Sequence, residues 1–124
     1  MACRGIRGAT TVESNTREAI LEATREMLAE IIRRNGFETD DVASAYFSTT
    51  PELNAEFPAV SARSDFGWHN AALMCGHEMY VPGSLSMCLR VMVMVNTEKA
   101  QKDIQHVFLR GAAALRPDLA SPSK

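Results

Sequence analysis

Residues 89–95 read Leu-Arg-Val-Met-Val-Met-Val, apolar at every position but one. Successive side chains of a strand point to opposite faces, so such a run has two faces to hide. It predicts a central strand covered on both sides. The run falls well short of the roughly 18 residues of a membrane span, and no other stretch comes closer. At 124 residues the chain corresponds to one domain, 1–124, with enough length to bury a core without disulfides or metal.

The rest of the chain supplies the layers around that strand. Residues 2–13 carry β-branched residues and two glycines without helical period, which predicts a strand with Cys3, Gly5, Arg7 and Ala9 on one face. Gly5 and Ala9 then leave space around the Arg7 guanidinium, although Gly5 and Gly8 also fit simple backbone bending. Residues 16–35 place Ile20, Ala23, Met27, Leu28 and Ile31 at amphipathic spacing, with Asn15 as N-cap and Asn35-Gly36 as the stop. Strands are expected over 42–49, 70–75 and 106–115. Short helices are expected over 59–66 and 98–105, with a helical turn opening at Thr50-Pro51. The tail, about 117–124, reads as loose.

The predicted order is β-α-β-α-β-β-α-β, an α+β domain with a mixed sheet and helices on one face. Helices on one face cannot cover both faces of a five-strand sheet. The apolar run at 89–95 therefore calls for a partner subunit on the second face.

Charge narrows the partners. The formal net charge is −2 and the pI about 5.9, which argues against a general nucleic-acid binder. Three cysteines without a CxxC pair, behind a start that lacks an apolar signal segment, suggest reduced thiols and a cytoplasmic, soluble protein. Ten of the thirteen basic residues are Arg, the side chain suited to bidentate recognition of carboxylate or phosphate.

Arg90 is the sharpest signal of chemistry. A guanidinium set among Leu, Val and Met needs a fixed anion, either a protein carboxylate or a ligand. Glu78 and Cys75 stand three residues apart beyond a strand; Glu78 could pair with an Arg or accept from a substrate hydroxyl. Cys75-x-His77-Glu78 has the residue types of a metal site but not the spacing, so no metal is expected. No phosphate-loop, dinucleotide or GxSxG signature is present. His69, His77 and His106 read as surface or supporting groups.

RGIRGATTVE at 4–13, TPELNAEFPA at 50–59, Arg63, Gly67-Trp68, Cys-x-x-Glu-Met at 75–79, CLRVMVMV at 88–95 and LRPDL at 115–119 occur in order across residues 3–119. Together they resemble the AroH-type monofunctional chorismate mutases of bacteria. The resemblance implies a homotrimer with a barrel-like core and active sites between subunits. It also implies the Claisen rearrangement of chorismate to prephenate, toward phenylalanine and tyrosine, without cofactor. By the same resemblance Arg90 contacts the ether oxygen and the enolpyruvyl carboxylate, Arg7 binds that carboxylate, and Glu78, helped by Cys75, holds the ring hydroxyl. Phe57, Ala59, Leu73 and Leu115 form an apolar wall, and Arg63 and Arg116 stand near the mouth. Three positions depart from the pattern: Phe108 replaces a Tyr whose hydroxyl commonly reaches the carboxylate, Val60 replaces a basic residue, and Met74 replaces a small hydroxyl residue. Two other classes fit parts of the pattern, an enamine/imine deaminase on a similar trimeric fold and a carboxylate sensor without turnover. RGIRGATT and CxxEM speak against the deaminase.

Overall fold

The computed structural model describes residues 1–115. Its sheet has five strands in the order β3-β2-β4-β1-β5. These are β1 (Ala2–Thr11), β2 (Val42–Thr49), β3 (Ala72–His77), β4 (Cys88–Thr97) and β5 (Val107–Phe108). β4 lies in the middle and runs antiparallel to both β1 and β2; β3 joins β2, and β5 joins β1, in parallel. The mixed sheet matches the expected fold class.

The helices are α1 (Arg17–Asn35) and α2 (Ala59–Phe66). Thr16, not Asn15, caps α1: its side chain accepts from the Ala19 N–H. Asn15 instead accepts from the backbone N–H groups of Asn54 and Ala55 and so ties the start of α1 to the loop before α2. Gly36 and Gly67 close the two helices in the left-handed conformation, where a Cβ is disfavoured. Ile20, Met27, Leu28 and Ile31 of α1 are fully buried against Ile6, Val91, Val93 and Val95 of the sheet. Gly8 is glycine because the helix lies directly on it. A Cβ there would stand 2.7 Å from Ile31 Cδ1, so its role is close approach and not bending.

Several expectations are corrected. The 98–105 helix is only a 3₁₀ turn, Gln101–Asp103, and the 106–115 strand shrinks to Val107–Phe108 before a second 3₁₀ turn, Arg110–Ala114. Short-range apolar content mimics strand propensity here, while the Asn35 amide bonds to Gln105 on both sides and ends the approach to β5. Residues 51–52 form a turn with no helix behind it: Thr50 Oγ1 accepts from the distant Cys88 N–H and donates to the Glu52 side chain, so it caps no following helix. β4 is central, yet within one chain it is covered on one face. Leu89, Val91, Val93 and Val95 are buried, whereas Met92 is 40% exposed. Ala9 is fully buried beneath Phe108 and Ala112, so the space expected on that side of Arg7 is filled.

Candidate active site

The uncovered face carries the charged groups. β1 and β4 pair with Ala9 opposite Arg90 and Arg7 opposite Met92, and β2 pairs with Ser48 opposite Arg90. Alternation along these strands sends Arg7, Arg90 and Ser48 away from α1. Glu78 follows β3 directly; its backbone N–H donates to the Thr49 carbonyl at 2.7 Å, which turns its side chain over the sheet. Arg7, Glu78 and Arg90 then line one cavity of about 400 Å³, with Tyr46, Ser48 and Met92 completing its wall.

Within this cavity Arg90 Nη1 donates to Glu78 Oε2 at 2.8 Å. Glu78 Oε1 accepts from the Met79 N–H at 2.9 Å, so both carboxylate oxygens are held from the protein side. The Nε–H of Arg90 is buried and has no partner among the described residues. Leaving a charged donor unmatched in this way typically costs more than about 1–3 kcal/mol. It marks where an oxygen acceptor from a ligand gains most. Arg7 lies over the Phe108 ring, 5.5 Å from its centroid, a cation–π contact that fixes the guanidinium without consuming its hydrogen bonds. The Arg7 backbone N–H donates to His106 Nδ1 at 2.9 Å, an anchor that residue type alone does not reveal. Phe108 is buried and has no hydroxyl to offer the cavity. Tyr46 and Ser48 were not candidates in the sequence; the alternation of β2 opposite Arg90 is the signal that locates them.

The other candidates lie elsewhere on the chain. Phe57 and Cys75 line a second cavity of about 370 Å³, with Thr49, Leu53, Pro58 and His77. Burial pushes the Cys75 thiol above its usual range, only partly offset by the Ala59 backbone N–H and the charge of Arg63. Cys75 is therefore a neutral thiol at pH 7 and no nucleophile. Ala59 itself is buried at the start of α2, and Arg63 is exposed. Leu73 and Met74 line a third cavity of about 260 Å³ with Tyr46, Met92 and Met94. Leu115 packs against the Ala9–Phe108–Ala112 cluster. Arg116 lies outside the described residues. Within one chain, then, Phe57 and Cys75 line a different cavity from Arg7, Glu78 and Arg90, while Leu115 packs on the same Phe108 over which Arg7 lies. Among the described residues no group of three or more His, Cys, Asp or Glu stands ready to hold a metal ion, and no helix is long and apolar enough to cross a membrane.

Comparison with known proteins places this geometry in context. The family described as chorismate mutase type I matches residues 3–119. The chorismate mutase AroH of Bacillus subtilis is 46% identical over 97% of this chain and 94% of its own length. The AroH of Thermus thermophilus is 45% identical over 95% of this chain and 97% of its own. The solved structure of a chorismate mutase from Clostridium thermocellum superposes with a TM-score of 0.86 at 51% identity, covering 89% of this chain and 97% of that one.

Proposed function

Since the chain belongs to the type I chorismate mutase family, we propose that it rearranges chorismate to prephenate in the cavity formed by Arg7, Glu78 and Arg90. The reaction is a unimolecular Claisen rearrangement: one ether C–O bond breaks as one C–C bond forms, and no proton moves. It needs a dicarboxylate held in its compact conformer and a donor for the charge that grows on the ether oxygen. Arginine meets both needs with a permanent charge and a planar fork.

The observation that carries this reading is the buried Nε–H of Arg90, without a partner among the described residues, beside the 2.8 Å contact of Arg90 to Glu78. One edge of the guanidinium is committed to Glu78, and the Nε–H remains for the ether oxygen. Arg7, fixed over Phe108, takes the enolpyruvyl carboxylate. Glu78 is already aligned by Arg90 and Met79 and accepts from the ring hydroxyl through a remaining lone pair. No step passes through a nucleophile, a metal or an acid–base group.

We further propose a homotrimer whose sites lie between subunits. Support comes from the split among the candidates: Arg7, Glu78 and Arg90 line one cavity, Phe57 and Cys75 another. A neighbouring copy that sets its Phe57–Cys75 cleft over the arginine cavity joins the two half-sites. The same contact covers Tyr46, Met74 and Met92, which are large and exposed in one chain. Three free cysteines suit a reducing cytoplasm. The test is the loss of chorismate absorbance with purified protein, in buffer with and without EDTA. Equal rates in both are expected; a rate that vanishes with chelator and returns with zinc contradicts the mechanism.

A further inference from the structure

The ion pair at the centre of the site joins the two ends of one loop, and a short segment elsewhere holds both ends. Residues 78–87 connect β3 to β4; Glu78 opens the loop, and Arg90 follows shortly after it closes. At the near end the Glu78 N–H donates to the Thr49 carbonyl, and His77 Nδ1 stands 3.1 Å from Thr49 Oγ1. At the far end the Cys88 N–H donates to Thr50 Oγ1 at 3.0 Å, and the Thr50 N–H donates back to the Cys88 carbonyl. Glu52 completes the grip. Its Oε2 accepts from the Met87 N–H at 2.6 Å and from Thr50 Oγ1 at 2.8 Å.

This anchor has a strained residue to hold. Met87 has φ +52°, a region that side chains with a Cβ rarely adopt. The first part of the loop supplies little packing, since Met79, Tyr80 and Val81 are all exposed, while Leu85 and Met87 are half-buried against the apolar clusters. Its course is therefore set by the hydrogen bonds at its ends together with the packing of these two side chains.

We propose that Glu52 is a positioning residue for the Arg90–Glu78 pair: its carboxylate clamps the end of the 78–87 loop so that the two side chains meet over the sheet. Glu52 lines neither the arginine cavity nor its rim; it acts through Met87 and Thr50. The Met87 N–H first, then the backbone N–H of Glu52 itself and the Thr50 hydroxyl, hold the carboxyl below the usual carboxylate range. It stays an ionised acceptor at neutral pH.

The inference rests on the chorismate mutase reading, so the test carries a readout that needs no turnover, the Arg90 Nε–H resonance in substrate-free protein. Glu52→Ala removes both acceptor contacts. It is expected to lower kcat on the order of ten- to a hundredfold, as small misplacements of catalytic groups do, with a smaller rise in KM and a shifted Arg90 resonance. Both contacts use the same oxygen, so Glu52→Gln keeps an acceptor for them and is expected to recover most of kcat and the parental resonance. Thr50→Val, near-isosteric, removes the hydroxyl contacts to Cys88 and Glu52, keeps the backbone bond to the Cys88 carbonyl, and serves if Glu52→Ala does not fold; it is expected to show the same kcat-weighted loss. Parental kcat and KM in Glu52→Ala, whatever its melting temperature, overturn the proposal. So does a Glu52→Gln protein as slow as Glu52→Ala with the Arg90 resonance unmoved, because the charge of Glu52 would then be acting directly. If the parent itself leaves chorismate untouched, the functional reading fails, and the resonance alone decides whether Glu52 positions Arg90.

Discussion

The two faces of one strand do different work. On one face of β4, Leu89, Val91, Val93 and Val95 are buried under α1 and α2. On the other, Arg90, Met92 and Met94 look away from the helices, and a buried guanidinium N–H there lacks a partner among the described residues. The covered face is closed by side chains from the same chain, so its residues are constrained by volume. The open face is incomplete within the chain, so its residues are constrained by what comes to it. A strand that is apolar on both faces hides this distinction, because Val and Met look alike to a hydropathy count.

Breaking the open face at Arg90 carries the largest expected effect. Replacing Arg90 with citrulline keeps the shape and removes the charge. Losing one preorganised donor typically costs about 3–4 kcal/mol, or roughly 10²–10³ in rate, and a charged donor should cost at least that. The loss should fall on kcat, because the ether oxygen is most charged in the transition state. Arg90→Lys keeps charge without the fork and should recover only part. Steady-state kinetics of both variants check this; a citrulline variant with near-parental kcat means that Arg90 holds the substrate without driving its rearrangement.

Breaking the covered face at Gly8 should give the opposite signature. Gly8→Ala sets a methyl 2.7 Å from Ile31 Cδ1 and 3.1 Å from Val91 Cγ1. Overpacking of this kind costs about 1–3 kcal/mol. The melting temperature should fall by several degrees, while kcat, measured well below the transition, stays close to the parent. A large fall in kcat with unchanged stability would show that the two faces are not separable.

Much of this division was legible in the chain. The boundaries of β2 and α2 and the central place of β4 follow from alternation and from the breaks that flank them, whereas a shared site for Arg7, Glu78 and Arg90 was implied only by the family resemblance. What was not legible depended on distant partners. Asn15 looks like a cap, but its acceptor is used by Asn54 and Ala55, nearly forty residues on. Residues 106–115 have strand composition, yet only Val107 and Phe108 find a ladder beside β1. His106 reads as a surface or supporting group, and only the fold shows which: the Arg7 backbone N–H donates to it. The separation of Phe57 and Cys75 from the arginines follows from which face each strand presents, and local sequence does not record it.

A change where the two faces meet, at Phe108, should give a smaller effect. Phe108 supports Arg7 but contributes no hydroxyl. Phe108→Tyr adds a donor beside the proposed carboxylate site. One added hydrogen bond contributes about 1 kcal/mol, so KM for chorismate should fall a few-fold with kcat little changed. An unchanged KM would mean that this hydroxyl position does not reach the substrate.

The smallest effects concern pH. The mechanism moves no proton and arginine does not titrate below about pH 12, so kcat should be nearly flat between about pH 6 and 9; a bell-shaped profile would indicate acid–base chemistry. Stability should fall in acid. The Arg33 side chain, together with Arg34 and against some desolvation, holds the Glu30 carboxyl at about 2, below its ordinary 4.5. A folded-state pKa below the unfolded one contributes stability that is full above the ordinary value and is lost as pH falls from there toward about 2. Glu52 acts in the same direction. Melting temperature against pH checks this; a midpoint that rises on acidification contradicts it.

If the open face, with Arg90 at its centre, rearranges chorismate without covalent chemistry, the most direct measurement follows chorismate absorbance with purified protein and with the Arg90 citrulline variant, with prephenate identified as product. The expected result is rapid conversion by the parent and, in a folded variant that still binds a product analogue, turnover lower by at least about 10². A parent that binds chorismate and leaves its absorbance unchanged would contradict it.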